Sequence, residues 1–373
     1  MKNGFTLIEL LAVIVVLAII ALIAVPVVLN IINDAKESSL LRSAEFYLDA
    51  VEYTIADAFL YHGGLSNGEY PITPDGNICK KSLPCDDSNT LKVEVSGDKP
   101  TGGSITINGG TISDVELYLS NKVIVKNEDN EIVYLNPKSF SEDSWETIAA
   151  NLRAGNLSKY NVGDTKEITL TGFTNGEEGS NGKYTVRIAN TSTPSECNNP
   201  DFSQTACGFV VEFEDIITAE YAMNSADTNV GGWESSEMRS YVNNDILNSF
   251  PTELKELIIE TKVVSSHGSD DSSNFVTTDK LYLLATREVW ENGDGGNEIG
   301  NDTARELTRQ LDYYKNLGVT TDNHEGAKKD NSIWWLRSAN GDTNSYFYIV
   351  NGHGAWRNSY AYHYFGVSVA FRL

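Results

Sequence analysis

The first feature of the chain is an uninterrupted apolar run near its amino end. Residues 10–29 read LLAVIVVLAIIALIAVPVVL and contain no charge and no hydrogen-bonding side chain. At about 1.5 Å per residue such a helix spans roughly 30 Å of hydrocarbon, which exceeds what an ordinary secretory signal provides. The pattern predicts a membrane-spanning helix. Pro26 removes one helical hydrogen bond, so a kink is expected there.

An amphipathic pattern follows and predicts that the helix continues to about Tyr61. Apolar residues recur at spacings of three and four, with charged residues off that face. The predicted inward face consists of Ala44, Leu48, Val51, Ile55 and Phe59. We expect this half of the helix to pack on a small sheet.

Short apolar alternations beyond the helix predict an antiparallel meander within a first globular unit at residues 35–137. The predicted strands are 91–95, 104–107, 115–119, 122–125 and 131–135. A second unit, 138–373, mixes both element types. Its predicted strands are 166–172, 183–189, 208–214, 280–285, 333–338, 346–350 and 366–373, and its predicted helices are 145–152, 234–250, 252–261 and 303–317. The fold class indicated is α+β in two units.

The charge balance excludes one class of partner. The chain of 373 residues has 28 Lys and Arg against 52 Asp and Glu, a net charge of −24. A protein this acidic repels a phosphate backbone, so nucleic acid binding is not expected. The 40% hydrophobic content is enough to fill real cores and argues against general disorder.

Residues 1–4 form a short leader, and Glu9 places a carboxylate at the edge of the apolar run. An ionised group there costs at least a few kcal/mol unless it meets a partner. The sequence from Gly4 and Phe5 to Glu9, followed by an apolar helix broken by Pro26, closely resembles the amino terminus of type IV prepilins and pseudopilins. A plain membrane anchor with an incidental Glu9 is the alternative.

The resemblance implies a processing and assembly route. A membrane prepilin peptidase would cut between Gly4 and Phe5, and the new amino group of Phe5 would be methylated. The helix 5–61 would form the membrane and filament core with its part 5–33. Glu9 would pair with the amine of a neighbouring pilin subunit, because a buried charge needs a partner. The body would then stand outside the cell, at the surface or on a pilus, on a single membrane pass.

Four cysteines fall into two local pairs, Cys79 with Cys85 and Cys197 with Cys207. In an exported body each pair can close a short loop, which stabilises by roughly 2 to 3 kcal/mol. Neither pair has the spacing of a zinc knuckle, and no histidine lies near either one. Disulfides are therefore predicted, with free buried thiols as the alternative in a reducing compartment.

The second unit resembles a domain of unknown function that is common in surface proteins of Gram-positive bacteria. The resemblance rests on Gly232, Trp233, Ser236, Arg239, Tyr241, Asn243, Asp279, Lys280, Leu281, the run 334–338 and the terminal run 365–373. It implies a C-type-lectin-like fold, close to the formylglycine-generating-enzyme-like fold. The sulfatase-activating enzymes of that fold need a cysteine pair near the chain end. No cysteine follows Cys207, which disfavours oxidase chemistry.

Aromatic residues mixed with Asn and His crowd the stretch 334–365, and such mixtures suit sugar faces and protein epitopes. Strand alternation assigns four of the large residues to the core, namely Trp334, Trp335, Phe347 and Phe371. A loop without apolar alternation holds the predicted ligand-binding residues, which are Trp356, Arg357, Asn358, Tyr360, Tyr362 and His363. Core packing is the alternative for these six.

Other chemistry finds little support in the sequence. The acidic loops 266–274 and 292–302 offer oxygen atoms of the kind calcium takes, but their spacing matches no helix-loop-helix calcium site, and solvated loops are favoured. The motifs of serine hydrolases, phosphate-binding loops and zinc proteases are absent. No cofactor, metal or enzymatic activity is therefore expected.

The sequence thus predicts a minor type IV pilin or pilin-like surface protein that assembles through its helix and displays a distal adhesive domain, 138–373. One alternative is a pseudopilin of a secretion or competence machine that binds no ligand of its own. A membrane-tethered surface enzyme is the third reading.

Overall fold

The long helix predicted at the amino end is present as α1, Leu7–Tyr61. The computed structural model describes residues 7–61, 64–80, 85, 88–127, 129–157, 159–173, 182–294 and 299–373. Gly4 and Phe5 lie outside these residues, as do the side chains of Glu9 and Pro26. α1 runs through Pro26 without interruption, so any kink there does not end the helix.

The described residues do not include a membrane span. No helix among them combines the length and the apolarity that a bilayer crossing requires. The membrane-spanning helix stays a prediction from the sequence.

Residue contacts divide the chain into two units. Unit 1 comprises Met1–Asn136 with Arg153–Asn156, and unit 2 comprises Pro137–Leu152 with Leu157–Leu373.

Unit 1 combines α1 with an antiparallel sheet in the order β1-β4-β5-β6-β7. Its strands are β1 (Gly68–Pro71), β2 (Ile78–Cys79), β3 (Thr90–Leu91), β4 (Gly103–Asn108), β5 (Thr111–Leu119), β6 (Lys122–Lys126) and β7 (Ile132–Tyr134). β2 and β3 pair separately. The predicted strands at 104–107, 115–119, 122–125 and 131–135 are confirmed as β4 to β7.

The predicted strand 91–95 is wrong beyond Leu91, because the segment after β3 pairs with no described strand. Val93 is buried, and its amide donates to the Asn77 side-chain oxygen at 3.1 Å instead of to a neighbouring strand. The Lys99 ammonium donates to the Val93 carbonyl at 2.6 Å. Side chains therefore form the backbone hydrogen bonds that a neighbouring strand would otherwise form.

The amphipathic half of α1 packs on the sheet largely as predicted. Ala44, Leu48, Val51 and Ile55 are buried in one cluster with Ile105, Val115 and Leu117. Each large apolar side chain buried this way contributes about 1.5 to 3 kcal/mol. Phe59 is an exception, since it exposes 49% of its surface while Ala58 is buried. The stripe steps from Ile55 to Ala58, which turns Phe59 toward solvent.

Unit 2 is a mixed α and β unit with two five-stranded sheets. The strands are β8 (Thr165–Leu170), β9 (Gly182–Asn190), β10 (Val210–Phe213), β11 (Thr218–Tyr221), β12 (Thr261–Ser265), β13 (Phe275–Asp279), β14 (Leu281–Tyr282), β15 (Trp334–Ala339), β16 (Tyr346–Val350), β17 (Trp356–Tyr360), β18 (Phe365–Val367) and β19 (Ala370–Arg372). The sheets have the orders β14-β19-β10-β9-β8 and β11-β18-β15-β16-β17. β12 pairs with β13.

The helices of unit 2 are short. They are α2 (Trp145–Arg153, which ends at the unit boundary), α3 (Gly232–Ser235), α4 (Glu237–Tyr241), α5 (Leu247–Ser249), α6 (Thr252–Leu257), α7 (Thr286–Val289) and α8 (Asp312–Asn316). The helix predicted at 145–152 is confirmed. The one predicted at 303–317 is wrong as a single element, since only a 3₁₀ turn at Arg305–Leu307 and α8 form there.

Two further predictions need correction. The stretch 234–250 is broken at Ser236, whose extended backbone and side chain cap α4, and it passes through a π-helical turn at Val242–Ile246. The stretch 366–373 is two strands, because β18 and β19 belong to different sheets. The sequence shows a continuous apolar run there, whereas the chain changes sheets within it.

The four rings assigned to the core are confirmed. Trp334, Trp335, Phe347 and Phe371 are fully buried. The Phe371 ring meets those of Trp145 and Phe250 edge to face, with centroids 6.2 and 5.8 Å apart. Such pairs add about 0.5 to 1.5 kcal/mol to the burial of their area. Large aromatic residues of the carboxy-terminal third therefore form part of the core of unit 2.

Both predicted disulfides are present. Cys79 is bonded to Cys85 in unit 1, and Cys197 to Cys207 in unit 2, with Cα–Cα distances of 5.7 and 5.9 Å. No cysteine is left free. The bonds link residues 6 and 10 positions apart, so each closes a short loop and restricts the unfolded chain.

One buried ion pair lies at the centre of unit 2. Glu288 and Arg337 are both fully buried, and Glu288 accepts from the Arg337 guanidinium at 2.6 Å. Thr205 and Thr308 also donate to Glu288. Burial by itself opposes ionisation of Glu288, but the charge and hydrogen bonds of Arg337 outweigh it, so the pKa of Glu288 is lowered from 4.5.

A second buried network surrounds Glu212 in β10. Arg187 donates to it at 2.9 Å, Lys329 at 2.8 Å and the Tyr314 hydroxyl at 2.9 Å. Burial opposes ionisation of Glu212, yet the two cations lower its pKa below 4.5. Burial lowers the pKa of Lys329 to about 8 despite the attraction of Glu212. Two buried cations therefore share one buried carboxylate.

Candidate functional site

The six predicted ligand-binding residues lie at one edge of the second sheet of unit 2. Residues 356–360 are not a loop as predicted. They form β17, the edge strand, which pairs antiparallel with β16 in the register Tyr346 to Tyr360 and Tyr348 to Asn358. The sequence does not predict this strand, because its residues are largely polar or exposed on both faces. They therefore show no alternation between apolar and polar positions.

The fold brings rings together from β16, from β17, from the turn after β17 and from the start of β18. We call this set the aromatic ridge. It consists of Tyr346, Tyr360, Tyr362, His363, Tyr364 and Phe365. The ring of Tyr346 meets that of Tyr360 edge to face at 4.6 Å, and Tyr360 lies 5.6 Å from Tyr362. The ridge continues from Tyr362 to His363 at 4.7 Å.

Much of the aromatic ridge faces solvent. Tyr360, Tyr362 and Tyr364 expose 39%, 42% and 68% of their surfaces. Large rings of a soluble domain rarely stand together in water unless they contact something, because contiguous exposed apolar patches mark binding surfaces. The ridge is therefore the candidate binding surface among the described residues of unit 2.

The inner end of the ridge is fixed to the core. The Phe365 ring lies 6.0 Å from that of His363 and 5.0 Å from that of the buried Trp335. The His363 ring is also held by the Ser359 hydroxyl, 2.8 Å from its Nδ1 atom. These contacts restrict the rotamers of His363 and Phe365, which would lower the entropy cost of binding a ligand.

Polar groups lie among the rings. A hydrogen bond with Tyr360 raises the pKa of Tyr346 above 10.0, with Asp227 contributing to the same shift. The Tyr346 hydroxyl therefore stays protonated at neutral pH and keeps a donor and an acceptor. Arg357 and Asn358 are exposed on β17, and the Arg357 guanidinium donates to the Trp356 carbonyl at 2.8 Å.

Trp356 departs from the predicted group. It packs on the core of unit 2, with its ring 6.2 Å from that of Tyr348, and its buried indole N–H has no hydrogen-bond partner. Trp356 lies at the opposite end of β17 from Tyr360, opposite Val350 in the register. Conversely, Tyr346, Tyr364 and Phe365 belong to the ridge but were not chosen from the sequence. The antiparallel register of β16 with β17 was the signal needed to find Tyr346.

The ridge ends beside a stacked tyrosine pair. Phe365 is the register partner of Tyr221 in β11, and the Tyr221 ring lies parallel to that of Tyr241 with centroids 3.7 Å apart. Tyr241 immediately precedes the π-helical turn at Val242–Ile246. Such turns frequently occur at functional sites.

The acidic loops do not assemble a cation site in the described part of the chain. No group of three or more His, Cys, Asp or Glu side chains suited to a metal ion is found there. Asp302 is buried and accepts from the Thr286 hydroxyl and the Ala304 amide. Asn301 donates to Asp342 at 2.6 Å. Asn297 and Glu298 lie outside the described residues.

Family models match the two ends of the chain. Residues 1–25 match the prokaryotic N-terminal methylation motif. Residues 210–373 match a domain of unknown function, DUF6273. No curated protein and no solved structure matches the chain. The first match supports a type IV pilin-like or pseudopilin-like protein, whose processing by a prepilin peptidase and assembly with other pilins the motif implies.

Proposed function

We propose that the chain is a minor type IV pilin or pilin-like cell-surface protein whose unit 2 recognises a ligand through the aromatic ridge. The methylation motif at residues 1–25 supports assembly through the amino-terminal helix. The aromatic ridge supports ligand recognition by unit 2. Its exposed rings contact one another and form a continuous patch, and such patches mark interaction sites. We propose no enzymatic role.

The ligand we propose is a glycan. Tyrosine rings offer flat apolar faces to the C–H face of a sugar, while their hydroxyls, Asn358 and His363 offer hydrogen bonds at the rim. Sugars without charge also avoid the repulsion that a body of net charge −24 exerts on anionic ligands. The C-type-lectin-like fold expected from the sequence remains a proposal for unit 2.

The assembly part of the proposal is tested at the native amino terminus. Mass spectrometry of the protein from its own cells should find a mature chain that begins at a methylated Phe5. Glu9→Ala should leave this processing intact and abolish incorporation into filaments, because the buried amine of the neighbour then lacks its carboxylate. A mature chain that retains residues 1–4, or normal incorporation of the variant, contradicts this part.

The recognition part is tested on a glycan array with the full chain in a neutral detergent. Tyr360→Ala combined with Tyr362→Ala should weaken binding by about tenfold or more, since two exposed stacking faces are lost. Tyr61→Ala is the control, because Tyr61 is an exposed tyrosine of unit 1 that lies outside the ridge. Absence of any glycan ligand, or equal weakening by the control, would favour a pseudopilin that binds no ligand of its own.

A further inference from the structure

A groove in unit 1 lies along α1. It has a volume of about 700 Å³. Its helix side is formed by Phe46, Asp49, Tyr53 and Asp57, and its other side by the segment 92–96 that follows β3. A second hollow of about 440 Å³ adjoins it between Asp49, Glu52, Tyr53 and Ala56. Tyr53 stands between the two.

The apolar part of this groove is unusual for a surface helix. Tyr53 exposes 80% of its surface and Phe46 exposes 55%. The two rings are seven residues apart, so they lie on one face of α1, and Leu60, seven residues further, exposes 76%. The buried stripe of α1 faces the sheet, so these rings form a second apolar face, which the described residues of unit 1 leave largely exposed.

The rim of the groove is acidic. Asp49, Asp57 and Glu94 line it, against the single cation Lys92, and Glu52 lines the adjoining hollow. None of these four carboxylates forms an ion pair with a described residue. An occupant that brings cations would therefore gain favourable contacts without breaking an ion pair between described residues.

The dimensions point to a polypeptide rather than a small molecule. From Phe46 to Asp57 the helix rises about 17 Å, which is the length of roughly three helical turns. A shallow groove of this length, with large rings projecting from it, matches the way an amphipathic helix inserts side chains at regular spacing into a hydrophobic surface. A second copy of this chain is disfavoured, because its net charge of −24 would meet the same carboxylates.

We propose that this groove of α1 and the segment 92–96 is the docking site for a basic amphipathic helix of another protein. Apolar side chains of that helix pack on either side of Tyr53, and its Lys or Arg side chains pair with Asp49, Asp57 and Glu94. The site lies in unit 1, so it is independent of the aromatic ridge.

The test uses the full chain in a neutral detergent and a fluorescent peptide of about 18 residues, built from Leu and Lys in amphipathic helical order. Binding is followed by fluorescence anisotropy, with the detergent alone as background. Tyr53→Ala, and separately the triple variant Asp49→Asn, Asp57→Asn and Glu94→Gln, should each raise the Kd about tenfold. Circular dichroism checks that helix content is unchanged, which the exposure of Tyr53 leads us to expect.

Two controls separate docking from general attraction of a cationic peptide to an acidic protein. The triple variant Glu253→Gln, Glu256→Gln and Glu260→Gln makes the same change of charge on an exposed surface of unit 2 and should leave the Kd unchanged. A peptide with Glu in place of Lys should not bind. Equal weakening by both triple variants, or equal binding of both peptides, overturns the proposal. So does a dimer in sedimentation analysis that Tyr53→Ala abolishes, because the occupant would then be a second copy.

Discussion

Arg337→Met is expected to destabilise unit 2 by about 3 to 5 kcal/mol. The guanidinium is fully buried, and methionine leaves the Glu288 carboxylate in the interior without its cation. The threonine hydroxyls of Thr205 and Thr308 still donate to Glu288, but they do not neutralise its charge. With this carboxylate left without a cation, unit 2 unfolds more readily or Glu288 takes up a proton.

Tryptophan fluorescence during urea unfolding measures this effect in unit 2 alone, because all six tryptophans of the chain lie there. The midpoint should fall while the slope stays the same, as a stability change requires. Lys328→Met is the matched control. Its partner Glu325 is 84% exposed, so water screens that pair and its loss should change the stability little. A shift for Arg337→Met as small as that of the control would contradict a charge buried in this environment.

Glu212→Gln is the second large effect, again about 3 to 5 kcal/mol. Glutamine keeps the shape and one acceptor, but it leaves Arg187 and Lys329 buried with no carboxylate between them. Burial already lowers the pKa of Lys329 to about 8, and removal of Glu212 lowers it further. Lys329 is therefore the group through which the variant responds to pH.

The direction of that response follows from linkage. A lysine whose pKa is lower in the folded state binds fewer protons there than in the unfolded chain, so stability rises with pH from the folded pKa to the unfolded value of 10.5. The deficit of Glu212→Gln relative to the natural protein should thus be smaller at pH 9.5 than at pH 7. The variant Glu212→Gln with Lys329→Met should lose this pH dependence. A deficit that grows with pH would show that Lys329 is not the responding group.

Much of the aromatic ridge was within reach of the sequence, although its architecture was not. The sequence predicts Tyr360, Tyr362 and His363 as ligand-binding residues because they lie in a stretch without an apolar alternation partner, and the structure places all three in the ridge. Trp356, which is predicted with them, packs against the core of unit 2. Tyr346 was missed, because only the pairing of β16 with β17 brings it to Tyr360.

The sequence alone determined those features whose information is local. The length of α1, its inward stripe and the two disulfides follow from spacings of a few residues, which helix geometry and short loops convert directly into contacts. The tertiary structure decided the rest. Glu288 meets Arg337 across 49 residues and Glu212 meets Lys329 across 117, and no periodicity of the chain specifies such partners. Their pairing depends on how distant segments pack together, and that packing minimises the free energy of the whole unit.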